Sequence, residues 1–298
     1  MARVLRKADM RDRTFLPAGW RAVICGVLFS LGVTAAFAAE IKKDIPTGAK
    51  PSLLLRNKNG GLTVKTWNRN EIQVIGRPST DLIEVMIVPS GQKVSVQTFA
   101  KGDRTLPPDA RVDFEIMVPQ EATVRVDSER GQVSIENVQG DIAIEGVSNS
   151  VVLANSSGHL TVRTVDGPIL LRSCNGHVEA HSISGNLSFF GVNASEFIAT
   201  TNSGKINYEG DFGSGGRYVL TSTASLIDVF TTEKASFEFI ARSMQGAIES
   251  NIAFRPSPMG QPFRRRTAGQ FLQGMVQTGD STVQITSYSG TIRLYGPR

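Results

Sequence analysis

A small residue recurs every nine positions between residues 122 and 208, and this spacing constrains the fold more than any other feature. Apolar residues follow each small residue after two and four places, as Val133 and Ile135 follow Gly131. A short strand and a turn together account for such a period, because glycine adopts turn conformations at no steric cost. The small residues, of which the last arrives one position late, are Ala122, Gly131, Gly140, Asn149, Gly158, Gly167, Gly176, Gly185, Ala194 and Gly204.

The positions between the small residues indicate which side chains are buried. Strand side chains alternate between two faces, so residues two and four places after each small residue point to one side. Residues three and five places after it then point outward. Self-similarity at a fixed period predicts an all-β fold, a β-solenoid (β-helix-like) with nine-residue repeats. The pattern leaves open whether two or three units close one coil.

An antiparallel meander or sandwich is the alternative, because strands spaced by about 8–12 residues also occur in those folds. The constant phase favours the solenoid, since hairpin strands have individual roles and need no common phase. Residues 40–298 are therefore predicted to form a single β-solenoid-like domain. Its regular array covers 122–208, and the prolines and arginines at 255–275 predict an irregular excursion.

The first 39 residues have the composition of a signal peptide with a signal helix. Six basic residues precede the apolar run Ala22–Ala36, and Ala36 and Ala38 fit the small-residue pattern that signal peptidase needs. An uncleaved membrane anchor is the alternative, although the run is shorter than the ~20 residues that span a bilayer comfortably. The leader predicts an exported bacterial protein, located in the periplasm, on the outer surface or outside the cell.

The basic charge of the chain lies mostly in this leader. The first 39 residues contain six Arg or Lys and two Asp or Glu, so they contribute +4 of the formal charge of +5. The remaining chain carries only +1, which gives no argument for a nucleic-acid partner.

Cysteine usage excludes an internal disulfide in the exported chain, because Cys25 lies in the leader and Cys174 is the other cysteine. Cys174 stands two residues before a repeat glycine, where other units carry an aliphatic residue. It is therefore predicted to be a small buried thiol. The equivalent residues are Val138, Val147, Val165, Ile183 and Val192.

The sequence contains no nucleophile elbow, phosphate-binding loop or zinc-protease helix. His159 and His177 each follow a repeat glycine and would stack if two units close one coil. They are interpreted as solvated turn residues, because the nearby acid Glu179 occupies a different outward position. Glu136 and Glu145 share one outward phase and are the carboxylates that a glycan hydrolase would need. Nothing marks them as desolvated, so the prediction is a non-enzyme with no cofactor and no metal.

The outward positions also suggest a binding surface. Val152 and Leu170 are outward apolar residues 18 positions apart, with Ala154 and Arg172 beside them, and could form a small contact patch. The arginine triplet at 264–266 could contact lipid headgroups or acidic glycan, giving peripheral membrane contact; a solvated loop is the alternative. The predicted binding residues are Val152, Leu170, Arg163, Arg172, Arg264, Arg265 and Arg266.

Three segments carry a resemblance that covers nearly all of the chain after the leader. They are Asn59–Val64 with Trp67, the strand Val112–Pro119, and the closing Ser289–Leu294. With the array between them, they resemble the bacterial putative-adhesin family of β-strand repeats known as the DUF4097 group. This resemblance implies an exported protein that binds or scaffolds an unknown protein or glycan of the cell envelope. An envelope-stress or signalling partner and a polysaccharide-processing enzyme are the alternatives.

Overall fold

The computed structural model describes residues 40–256 and 269–296. Within these ranges the regular structure is entirely β-strand, and 22 strands join one hydrogen-bonded sheet, which confirms the all-β class. No helix of the described residues is long and apolar enough to cross a membrane. The predicted signal helix and the arginine triplet at 264–266 lie outside the described residues.

The strands are numbered in chain order. They are β1 Ile41–Pro46, β2 Ser52–Asn59, β3 Leu62–Trp67, β4 Glu71–Pro78, β5 Ile83–Ser90, β6 Lys93–Ala100, β7 Val112–Pro119, β8 Thr123–Glu136, β9 Ile142–Ala154, β10 Ser157–Asp166, β11 Ile169–Arg172, β12 Asn175–Ser182, β13 Leu187–Phe190, β14 Asn193–Thr201, β15 Ile206–Glu209, β16 Arg217–Ser222, β17 Ile227–Phe230, β18 Phe237–Ser243, β19 Ile248–Ser250, β20 Gln270–Val276, β21 Ser281–Ser287 and β22 Ile292–Tyr295.

Residues 18 positions apart are in-register neighbours on parallel strands throughout most of the array. Leu160 of β10, for example, pairs with Ile142 on one side and Val178 on the other. Two nine-residue units therefore separate each pair of neighbouring strands. Because this pairing is parallel, the antiparallel meander is wrong for residues 122–208.

Alternate units fall into two stacks of parallel strands. Ladder A contains β3, the C-terminal parts of β8 and β9, and then β11, β13, β15, β17 and β22. Ladder B contains β2, the N-terminal parts of β8 and β9, and then β10, β12, β14, β16, β21 and β18. The long strands β8 and β9 run through both ladders and connect them.

The two ladders enclose the hydrophobic core between them. Phe189 of ladder A meets Phe197 of ladder B edge-on, with ring centroids 4.7 Å apart. Tyr208 of ladder A lies 5.6 Å from Phe197 and 5.9 Å from Tyr218, which is also in ladder B. The apolar residues two and four places after the repeat residues are at most 1% exposed, which confirms their predicted burial.

The repeat glycines are needed because successive turns stack backbone on backbone. Gly158 has a φ of +126°, and an added Cβ would lie 2.6 Å from the carbonyl oxygen of Gly140. Gly185 has an ordinary φ, yet its Cβ would lie 1.9 Å from the oxygen of Gly167. Close approach therefore selects glycine even where the backbone conformation does not.

One extra residue explains why Gly204 comes a position late. Where β14 pairs with β12, the register shifts so that Gly176 faces Ala194 but His177 faces Glu196. Ser195 is thus left over as a bulge, which delays the following repeat by one place without turning the core residues outward.

The turns before the repeat residues form two different corners. The prediction that the residues two places before each repeat residue are equivalent to Cys174 is therefore correct only for those at the same corner. Cys174, Val138 and Val192 are fully buried at one corner. At the other corner Val147 is 49% and Ile183 53% exposed. Alternate units belong to opposite ladders, so residues of equal phase meet different surroundings.

Antiparallel strands close both ends of the parallel ladders. At one end β4 pairs antiparallel with β1 and β7, and β5 forms the expected hairpin with β6. At the other end β20 pairs antiparallel with β18. The segment 255–275 is therefore not irregular throughout, because its final residues, from Gln270, belong to this edge strand.

Candidate functional site on ladder A

The predicted outward columns divide between the two ladders. Arg172 lies in ladder A, in register with Ala154 and Phe190. Arg163 lies in ladder B, in register with Glu145 and His181. The sequence placed both arginines in one column because it could not show that alternate units face opposite ways.

Val152 and Leu170 are brought together as expected. They are in-register partners on β9 and β11 and are half-buried on the outer side of ladder A. Their next neighbours in the same column are Ser134 and Ser188, so the apolar spot is two residues wide. Its role in binding stays a prediction.

Beyond this spot, ladder A presents a row of charged and aromatic side chains. Reading across the strands, the row consists of Arg172, Phe190, Glu209, Phe230 and Tyr295. The Arg172 guanidinium lies over the Phe190 ring, 5.6 Å from its centroid. The rings of Phe230 and Tyr295 stack with centroids 5.1 Å apart and an interplanar angle of 21°.

A groove of about 580 Å³ opens along this row, and we call it the Glu209 groove. Two glycines that lie next to each other, Gly191 and Gly210, line the groove without side chains. Such a groove, with mostly apolar walls and a few polar groups, has the make-up of small-ligand sites. Its lining residues are Phe190, Gly191, Asn207, Glu209, Gly210, Phe230, Thr231, Thr232 and Gly296.

Two polar side chains in the groove, Glu209 and Asn207, are not engaged by the protein, whereas the hydroxyls of Thr231 and Thr232 donate hydrogen bonds to Tyr295 and Asp211. Among the described residues, neither Glu209 nor Asn207 makes a side-chain hydrogen bond or an ion pair. The neighbouring acid Asp228, by contrast, is buried and pairs with the Lys205 ammonium at 2.7 Å. Glu209 therefore presents a free carboxylate between two aromatic rings.

The sequence did not predict this row, although it contains a signal for it. Glu209, Phe230 and Tyr295 each stand immediately after the second core residue of their strand, the same outward position as Arg172 and Phe190. Phe230 and Tyr295 come after residue 208, where the nine-residue period loosens. Only the pairing of β17 with β22 shows that they belong to one column.

Ladder B carries a different cluster, centred on Glu179. His177 Nε2 lies 3.2 Å from one carboxylate oxygen, while Arg163 lies 3.5 Å and His181 Nε2 3.7 Å from the other. The hydrogen bond from His177 lowers the pKa of Glu179, against the opposing effect of burial. The other nitrogen of His177 lies 3.3 Å from Glu196.

These contacts correct the expectation that Glu179 stands apart from the histidines. His177 and Glu179 are alternate residues of one strand, so their side chains lie on the same face of ladder B and can make contact. The stacking of His159 on His177 is as expected, with centroids 5.3 Å apart. Within the described ranges, no group of three His, Cys, Asp or Glu side chains could hold a metal ion.

Glu136 and Glu145 do not form the carboxylate pair that a glycan hydrolase would need. Glu136 belongs to ladder A beside Ala154, and Glu145 belongs to ladder B beside Asp127. The core separates the two ladders, and facing sheets are ~10 Å apart before outward side chains are added. Glycosidases hold their carboxylates at ~5 to 9.5 Å.

A second groove of about 630 Å³ lies between Phe99 and Val147. Two of its acidic groups are paired, Asp127 with Arg56 at 3.1 Å and Glu145 with Arg125 at 3.1 Å, whereas Glu129 makes no ion pair among the described residues. The Glu209 groove is the stronger candidate for a ligand site, because its free carboxylate lies in register between two aromatic residues, Phe190 and Phe230.

No family model and no curated protein matches the chain. Three solved structures resemble it weakly over most of its length. A "putative cell adhesion protein" from Clostridium sporogenes is 12% identical with a TM-score of 0.29, covering 87% of this chain and 99% of its own. A "putative adhesin" from Bacteroides fragilis is 12% identical with a TM-score of 0.34, covering 86% and 97%. A "putative lipid binding protein" from Parabacteroides distasonis is 9% identical with a TM-score of 0.28, covering 88% and 98%.

Proposed function

We propose that this chain is an exported, non-enzymatic binding protein of the bacterial cell envelope, of the DUF4097 putative-adhesin type. Residues 40–298 form one β-solenoid domain with two nine-residue units per coil, and the first 39 residues are its export signal. The in-register pairing of residues 18 apart supports the solenoid.

The observation that carries the proposed function is the Glu209 groove. Its free carboxylate lies between aromatic walls on an exposed ladder, and the free amide of Asn207 lines the same groove, as a ligand site requires. The rigid parallel sheet holds these groups in fixed positions, so binding needs no large rearrangement. The predicted patch of Val152 and Leu170 lies on the same face and extends the surface.

The proposal is tested by cosedimentation of purified residues 40–298 with washed bacterial envelopes. Wild type is expected in the pellet, and Phe190→Ala with Phe230→Ala is expected to remain in the supernatant. Ile198→Ala is the matched control, because Ile198 is a half-buried outward residue on ladder B. Equal sedimentation of wild type and the double variant would contradict the site, and mature protein found in the cytoplasm would contradict export.

A protein partner, as in an envelope-signalling role, is the second candidate. It is favoured by the exposed corner of Val147, Val165 and Ile183, which are 49%, 45% and 53% exposed. An exposed apolar stripe of this kind is typical of a contact surface. Retention of envelope binding in the double variant, and its loss in Ile183→Asp, would favour this candidate over the groove.

A further inference from the structure

We propose that the Glu209 groove binds an organic cation of the alkylammonium class, with preference for a quaternary ammonium group. This inference rests on the proposed function, because it names the ligand of the same groove. It follows from the spacing of the rings, from the free carboxylate between them and from the chemistry of the walls.

The register sets the distance between the two aromatic walls. Phe190 and Phe230 both line the groove and lie on β13 and β17, with β15 and Glu209 between them. Two strand steps separate the rings by about 10 Å. A cation midway between them lies about 5 Å from each ring, within the ~6 Å over which a ring face attracts a cation.

The charge of the groove selects a cation over a neutral ligand. Glu209 has no counter-ion among the described residues, whereas Asp228 pairs with Lys205 and Glu249 pairs with Arg293 at 3.1 Å. An alkylammonium ion above Glu209 gains from the carboxylate and both rings together. A neutral sugar would leave the carboxylate without a counter-charge.

The walls select a methylated cation over a small hydrated one. Phe190 and Phe230 offer ring faces and no hydrogen-bond acceptors, so they cannot replace the water shell of an ammonium or sodium ion. A quaternary ammonium group carries its charge on methyl groups, which pack against aromatic rings with little loss of hydration. Arg172 over Phe190 is an example of the same attraction within the protein.

The test is titration calorimetry of residues 40–298 with choline and with 3,3-dimethyl-1-butanol, its neutral isostere. Choline is expected to bind about tenfold more tightly than the isostere. Glu209→Gln is expected to reduce this difference to the part that the rings contribute, and Phe230→Leu, which keeps an apolar wall without a ring, to weaken choline binding by about tenfold.

Glu136→Gln is the matched control, because Glu136 has the same outward position on ladder A but has Ala154 beside it instead of a ring. Its choline affinity should equal that of wild type. Thermal unfolding verifies that each variant is folded. Equal binding of choline and its isostere, unchanged binding by Glu209→Gln, or binding of glucose in place of choline would overturn the proposal.

Two further comparisons are needed. The first identifies the source of the cation, and the second distinguishes failure of this proposal from failure of the proposed function. Flotation with phosphatidylcholine vesicles, compared with phosphatidylglycerol vesicles, shows whether the protein binds the quaternary ammonium group as part of a lipid headgroup. Binding of choline without flotation indicates a free molecule as the ligand. If choline fails while envelope binding still depends on Phe190 and Phe230, the ligand class is wrong and the proposed function stands. If envelope binding is also independent of these rings, both proposals fail.

Discussion

Cys174 and Val165 each stand two residues before a repeat glycine, yet Cys174 is fully buried and Val165 is 45% exposed. The difference arises because the two residues precede units of different ladders, ladder B for Cys174 and ladder A for Val165. At the residue scale, chemistry therefore depends on which ladder a unit joins, and two predictions illustrate this dependence.

Burial raises the pKa of the Cys174 thiol, so little thiolate is present near neutral pH. In a Cys25→Ser background, we expect native protein to react with a thiol reagent such as DTNB only at the rate of unfolding. Denatured protein should react at once and supplies the control. Rapid labelling under native conditions would show that the corner at Cys174 is open.

Glu179 is the residue whose protonation should affect stability. Its pKa is lowered in the folded state, so its stabilising contribution is present above the ordinary value of 4.5 and is lost as pH falls through the folded value. Glu179→Gln should therefore lower the melting temperature at neutral pH and have less effect in acid. The measurement is thermal unfolding from roughly pH 7 to 3.

The control for this series is Glu209→Gln, which replaces a carboxylate without an ion pair in the described structure. Its melting temperature should differ little from wild type at neutral pH. A Glu179→Gln variant that shows the same offset from wild type at every pH would contradict the assigned role of His177.

At the scale of the element, the turns decide whether neighbouring strands can stack. Gly158 sits directly above Gly140, whereas Gly91 has a φ of +60° and open space around its Cβ position. Gly91 thus isolates the cost of a left-handed backbone angle, whereas Gly158 combines a close contact with a φ of +126° that is less accessible to other residues.

Gly158→Ala should destabilise the protein more than Gly91→Ala, for which the backbone angle alone costs roughly 1–2 kcal/mol. The added methyl of the first variant would overlap the Gly140 carbonyl, which lies 2.6 Å from the Cβ position. Chemical denaturation of both variants measures the difference. An equal decrease in the free energy of unfolding in both variants would mean that the stacked turns can move apart freely.

At the scale of the whole molecule, stability comes from one cluster of buried apolar residues shared by both ladders. Ile144 is fully buried in this cluster, while Ala143, its neighbour in β9, faces outward beside Arg125. The same substitution can therefore be made at Ile144 on the inner face of β9 and at Ala143 on its outer face.

Ile144→Asp should lower the free energy of unfolding by on the order of 3–5 kcal/mol, because it buries an unpaired charge. Ala143→Asp should change it by less than about 1 kcal/mol, since an exposed pair with Arg125 contributes little. Equilibrium unfolding in urea measures both. Similar losses in the two variants would contradict the assignment of inner and outer faces.

The sequence by itself determined the all-β class, the strand positions of the array, the inward residues such as Ile144 and Leu160, and the need for small residues at the turns. These features follow from local alternation and turn chemistry, which are properties of neighbouring residues. The tertiary structure alone decided that alternate units face opposite ways, which separated Arg163 from Arg172. It also brought Phe190, Glu209 and Phe230 into one row, because the pairing of neighbouring strands within a ladder depends on the core that they share and not on any local pattern.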